Sequence, residues 1–282
     1  MFNLSVKNEY GEVLMLTGNP DYDVLSVSGL NPAPAEINTT PVSGIDGTRY
    51  NSARVGQRNI VIRLNINGDI EDRRIELYRY FRVKHTVRVY YKNEHVDVYI
   101  DGYIETFEND FFTILQQPQI SIICPNPYFK SMSETEIDFE NVTSLFTFPF
   151  AIPAEGIPFS SLNEISSRYF NAGNVETGGI ITFTALADGV KNPVFYNNTN
   201  STFFGVNITM QSGDVIEINT QRGEKSVKLT RSGTTTSIVG DRTSGSTWIV
   251  FEPGENEISF GADVSASSLR CTLSCVQRFE GV

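Results

Sequence analysis

Alternation of apolar and polar residues dominates the chain. Ile60, Ile62, Leu64 and Ile66 fall on one side of a strand while Arg63 and Asn65 fall on the other. Val87, Val89 and Tyr91 alternate with Arg88 and Tyr90; a turn at Lys92-Asn93-Glu94 follows, and then Val96, Val98 and Ile100 alternate with Asp97 and Asp101. Residues 2–6 and 13–17 read as a hairpin around Asn8-Glu9-Tyr10-Gly11, and 23–28 as a third strand. Gly102 is expected to bend the chain into a strand over 103–107, and Asn109-Asp110 to turn it back into a long strand over 111–123. One window has a helical period. Over residues 70–82, Asp69 can cap, Glu71 and Asp72 suit the positive N-terminus, and Ile70, Leu77, Tyr78 and Phe81 share a face.

Two stretches break the pattern. Residues 29–57 are rich in Pro, Gly, Asn, Thr and Ser, show no period, and read as a long loop of the kind that marks function or disorder. Residues 130–136 are polar and read as a linker. Beyond them the pattern is all β, with strands expected at 167–171, 179–185, 193–197, 203–210, 215–219, 226–230, 247–251, 257–260 and 269–279, punctuated by Gly, Pro and Asn. The fold class is therefore mainly β. The expected domains are an N-terminal β-sandwich with one flanking helix (1–130), a linker (131–136) and a C-terminal jelly-roll sandwich (137–282).

Composition sharpens this. The 282 residues include 19 Phe and 12 Tyr, a strand-favouring excess, and the apolar runs are too short to span a membrane. The first eight residues carry neither a basic leader nor a continuous apolar core, so no secretion signal is expected. The net charge of −11 argues against gripping a phosphate backbone. An exception lies between Arg49 and Arg88, where ten basic residues fall, nine of them Arg. They form either a salt-bridged solvated face or planar, bidentate groups at a subunit interface, for which Arg49, Tyr50, Arg54 and Arg58 are the candidates.

Catalytic signatures are missing. The sequence has no phosphate-binding glycine loop, no nucleophile elbow and no H-E-x-x-H, and Glu94-His95-x-Asp97 reads as a polar strand end. No enzyme activity, cofactor or metal is expected. Cys271 and Cys275 lie on one strand face roughly 13 Å apart, too far for a mutual disulfide. With Cys124 they read as small buried hydrophobes. Trp248, the sole tryptophan, is read as core packing; the alternative is a stacking platform for a sugar.

A set of short segments recurs in an order and spacing that together are specific. They are Asp46-Gly47, the Arg58-x-Ile60 strand, Cys124-Pro125-Asn126-Pro127-Tyr128-Phe129, Phe148-Pro149-Phe150-Ala151-Ile152-Pro153, Tyr169-Phe170-Asn171-Ala172-Gly173, Lys191-Asn192-Pro193-Val194-Phe195-Tyr196-Asn197, Gly213-Asp214-Val215-Ile216-Glu217-Ile218-Asn219-Thr220, Trp248, Pro253-Gly254-Glu255-Asn256 and Phe279-Glu280-Gly281-Val282. The whole chain resembles the distal tail protein (Dit, or phage tail component) family of long-tailed phages and prophages. That resemblance implies a tail-tube-like first domain forming a ring, typically homohexameric, and a galectin-like second domain projecting from it. The implied partners are other copies of the chain, the tail tube protein, a tail-associated hub or tip protein and receptor-binding proteins, with DNA only as cargo passing through the ring and no membrane. The implied location is the distal end of the virion tail after assembly in the host cytoplasm. A carbohydrate-binding adhesin recognising host wall polysaccharide is the alternative.

Overall fold

The computed structural model describes residues 2–113, 115–139 and 165–282. Phe148 to Pro153 lie outside the described residues. The chain divides into two compact units, Met1–Ser133 with Arg278–Val282, and Glu134–Gln277. The second is thus inserted into the first, and the chain passes between them twice.

In the first unit the elements run β1 (Asn3–Asn8), β2 (Val13–Met15), β3 (Tyr22–Ser28), β4 (Ala35–Pro41), β5 (Thr48–Val55), β6 (Arg58–Ile66), α1 (Ile70–Tyr80), β7 (Thr86–Lys92), β8 (Asp97–Glu108), β9 (Gln119–Cys124) and the start of β10 (Phe129–Phe139). The antiparallel order is β2-β1-β7-β8-β9-β6-β3. Inward residues from both ends of this sheet, Leu4 and Leu14 at one and Tyr22 and Leu64 at the other, join one core. The sheet therefore curls round on itself, and Leu77 and Phe81 of α1 close the core. The helix forms as its sequence dictates: the Asp69 side chain accepts from the Asp72 N–H, and the Phe81 N–H donates to Leu77 O. Tyr78 departs from the expected inward face and is partly exposed, edge-on to Phe107 at 4.9 Å.

The second unit contains the remainder of β10 with β11 (Ile165–Asn171), β12 (Gly179–Ala185), β13 (Val190–Lys191), β14 (Val194–Asn197), β15 (Thr202–Gly205), β16 (Thr209–Met210), β17 (Val215–Asn219), β18 (Ser226–Arg231), β19 (Thr234–Ser237), β20 (Gly254–Gly261) and most of β21 (Leu269–Phe279). One sheet runs β19-β18-β17-β12-β21-β10 and the other β11-β20-β14-β15. Ile181, Phe183, Ile216, Ile218 and Leu273 from the first meet Tyr169, Phe195, Phe204, Ile258 and Phe260 from the second. This is a β-sandwich, as its alternation predicts. Cys124, Cys271 and Cys275 are free and buried.

Several expectations need correction. Residues 29–57 are no structureless loop: β4 and β5 pair as an antiparallel ribbon. Residues 131–136, expected as a linker, are extended within β10, where Lys130 and Ser131 pair with Tyr99 and Val98 of β8, and the division between the units falls inside them, at Ser133–Glu134. Their polarity misleads because backbone pairing, not apolar burial, decides a strand with a solvated face. Gly102 does not end a strand: β8 continues through it opposite Val87, and from Tyr103 onward β8 pairs with β9, with a bulge between Ile104 and Thr106. The strand expected from residue 111 begins only at Gln119. Before it, Thr113 Oγ1 bonds the carbonyls of Asp110 and Leu115, and Asn109 reaches Gln116 at 2.7 Å, so local polar side chains win over extension. Residues 247–251 form no continuous strand: the Thr247 N–H donates to Phe203 O at 2.8 Å and Phe251 makes an isolated antiparallel bridge with Thr177, while between them the side-chain amides of Asn197 and Asn200 occupy the Val250 carbonyl.

Candidate assembly interface

The ribbon β4–β5 is a separate two-stranded sheet, an arm in which every residue from 34 to 54 is exposed. Seven or eight residues per strand make it about 25 Å long at ~3.4 Å per residue. Its internal bonds are polar. Arg54 donates from Nε to Glu36 Oε2 at 2.7 Å, Asn38 reaches Ser52 Oγ at 3.1 Å, and Asn51, the extra residue at a bulge, reaches Thr40 Oγ1 at 2.6 Å. These exposed contacts contribute little, and a lone two-stranded ribbon is marginal in water. Yet Ile37, Ile45 and Tyr50 present large apolar surfaces, Ile45 at 71 % exposure. The ribbon thus holds its apolar side chains out to solvent, and among the described residues its outer strand edges pair with no other strand.

Of the four residues expected at an interface, the structure puts Arg49, Tyr50 and Arg54 on this arm and Arg58 elsewhere. Arg49 lies opposite Thr40, and Tyr50 opposite Thr39. Arg58 is 2 % exposed and its guanidinium sits 4.7 Å from the Phe129 ring centroid. Its Nε donates to Pro127 O at 2.6 Å, and Nη1 donates to Gly29 O at 2.5 Å and Asn31 O at 2.6 Å. Burial pulls its pKa down from the ordinary arginine value, against the opposing pull of Cys124 and Glu280. Arg58 is thus an internal pin at the root of the arm. Gly29 is obligatory beside it. Its φ is +83°, and a Cβ there would lie 2.1 Å from Asn59 O.

The arginine-rich segment resolves into separate pairs. Arg73 and Arg74 bind Glu76 and Glu71, Arg79 binds Glu12, Arg82 binds Glu9, and Arg88 binds Asp101 through two nitrogens while lying over the Tyr99 ring. The salt-bridged face holds for these residues. Further exposed apolar side chains are Ile75 on α1 and Phe111, Phe112 and Leu115 before β9, with Arg74 of α1 lying over the Phe111 ring.

Trp248 is half-buried against the core of the second unit. Its ring centroid lies 4.9 Å from that of Phe204, and Lys225 Nζ lies 5.4 Å from its centroid. Among the described residues no group of three or more metal-ligating side chains converges.

Sequence reasoning missed the arm's two strands. The signal was present: Ile37-Asn38-Thr39-Thr40 and Arg49-Tyr50-Asn51-Ser52 flank a glycine-rich turn, with Glu36 and Arg54 in register to pair. It was weak because no face of the ribbon is buried, which removes the apolar alternation by which strands are recognised.

Comparison with known proteins accords with this architecture. No curated protein matches the chain. The model of the siphovirus-type tail component, C-terminal domain, matches residues 172–279, and that of the phage tail protein RIFT-related domain matches residues 14–124. Among solved structures, the Dit protein of phage SPP1, described as a paradigm of the hub adsorption apparatus in phages infecting Gram-positive hosts, superposes with a TM-score of 0.69 at 15% identity, covering 99% of both chains. A chain of the phage P2 baseplate in its activated conformation with Ca gives a TM-score of 0.51 at 13% identity, covering 97% of this chain and 98% of that one. With one family model on each unit and the fold shared over nearly the full length, the chain belongs to the distal tail protein family of siphophages.

Proposed function

We propose that the protein is a structural hub at the distal end of a phage tail, in which the first unit closes a homohexameric ring and the second serves as an attachment point for adsorption proteins. The observation that carries this reading is the arm. It is too exposed and too thin to be stable for its own sake, and the surface it lacks can come from a neighbouring copy. A head-to-tail donation of this kind closes into a ring when its rotation permits. The ring would join the tail tube protein on one side to the tail-associated hub or tip protein on the other, with DNA passing through and the virion tail as its place of residence. The domain assignment follows: a ring-forming, tail-tube-like unit and a galectin-like unit, divided at β10 and β21. The function is scaffolding rather than catalysis.

Replacing residues 36–54 by a short Gly-Ser turn tests this. The shortened protein is expected to keep its circular dichroism spectrum and to form no rings with the tube and hub proteins by electron microscopy. Normal rings from it would remove the arm from the mechanism.

The adhesin alternative gains no support from Trp248, because its ring is half-buried and already has Phe204 and Lys225 against it. Titration with host wall polysaccharide is expected to show no saturable binding at micromolar concentration. Binding abolished by Trp248→Ala in a folded protein would reverse this.

A further inference from the structure

The root of the arm is completed by residues from the far end of the chain. Besides its bonds to Gly29, Asn31 and Pro127, the Arg58 guanidinium donates through Nη2 to the Glu280 carbonyl. The Val282 N–H donates to Leu30 O at 3.1 Å. Phe279 and Val282 pack against the core of the first unit, as does Leu30. The fit at Gly281 is tight: a Cβ there would lie 2.8 Å from Pro32 Cδ and 3.0 Å from Leu30 O. The peptides leading into the arm, 29–32, and the residue that opens the strand leaving it, Arg58, are therefore clamped by one short segment. That segment follows the whole of the second unit in sequence.

Each of these groups is costly to leave half-satisfied. A guanidinium 2 % exposed cannot recover lost acceptors from bulk water without opening its surroundings. With 278–282 displaced, the Glu280 acceptor and the donor to Leu30 O go together, and the root opens to water.

We propose that residues 278–282 are a latch that fixes the root and direction of the arm, so that the first unit becomes competent to assemble only after the chain has returned from the second. The assembly half of this rests on the arm's role in ring closure; the latch itself does not. During synthesis the arm emerges well before the latch, so a chain still folding its inserted unit carries a loose arm and is withheld from the ring.

Hydrogen exchange by mass spectrometry on the full chain, on a variant ending after Phe279, and on Gly281→Val separates the two halves. Peptides covering 26–34 and 56–60 are expected to exchange ~10-fold faster or more in both variants, with β12 and β17 unchanged. Exchange at the root equal to that of the unmodified protein would overturn the latch. If the shortened chain loses protection throughout the first unit, Gly281→Val decides, since it keeps the whole segment and alters only its fit. Mixed with tube and hub proteins, both variants are expected to form rings at a tenth or less of the unmodified yield, an order-of-magnitude figure matching the exchange change. A loosened root with undiminished rings would overturn the coupling. Absence of rings even from the unmodified protein would overturn the ring reading and leave the exchange result standing.

Discussion

The Arg58 guanidinium donates to the main-chain carbonyl of Glu280 across 222 residues of sequence, and its other acceptors, Pro127, Gly29 and Asn31, are backbone oxygens as well. A charge held this way acts as a rivet between chain segments: its five N–H groups diverge in a plane and reach three connecting segments, at 29–31, 127 and 280, that lie outside the strands. The contrast with Arg54 is instructive. Arg54 pairs with Glu36 on the open arm, where solvent screens the attraction and the two side chains lose entropy to hold it.

Arg58→Lys is accordingly expected to lower the stability of the first unit by about 2–4 kcal/mol, because a single ammonium cannot serve acceptors on several sides and leaves buried carbonyls unpaired. Arg54→Lys is expected to change it by less than about 0.5 kcal/mol. Urea unfolding followed by a probe in the first unit compares them. Equal effects would show that Arg58 is not the rivet its geometry makes it.

Limited trypsin digestion reads the same architecture from outside. Arg49 and Arg54 stand on the fully exposed arm, whereas Lys130 is paired in β10 opposite Tyr99. The first cuts in the isolated protein are expected at Arg49 and Arg54. Early release of two half-length fragments by cleavage at Lys130 would mean that β10 is a loose joint after all.

Asp214 offers a test in the second unit. It is buried and accepts from Arg231 Nε at 3.0 Å, from Nη2 at 2.5 Å and from the Gln211 N–H at 2.7 Å. The Arg231 hydrogen bonds hold its carboxyl below the usual aspartate value, overcoming the opposing effect of burial. A depressed folded value means that the carboxylate stabilises the fold fully above the unfolded value of about 4 and less as pH falls through the folded one. Asp214→Asn is expected to cost about 2 kcal/mol at pH 7, with the deficit shrinking below pH ~4. Urea midpoints measured at both pH values check it; a deficit independent of pH would place the effect in shape rather than charge.

Strand alternation made most of the strands in both units legible, since residues such as Ile60, Ile62, Leu64 and Ile66 can bury one face only if they are extended and paired. Asp69, Glu71 and Asp72 marked the start of α1 through short-range electrostatics, which the sequence carries directly. The ordered set of turn segments marked the family, because turns demand particular backbone angles at particular positions. What required the tertiary structure was each feature defined by a partner distant in sequence. Arg49, Arg54 and Arg58 look alike along the chain. Folding sends two of them onto an open ribbon and buries the third among carbonyls that include one from residue 280. Burial and long-range pairing are properties of the assembled surface, not of the local sequence. So the arm, its root and the strand character of residues 131–136 were decided only when the chain came back on itself.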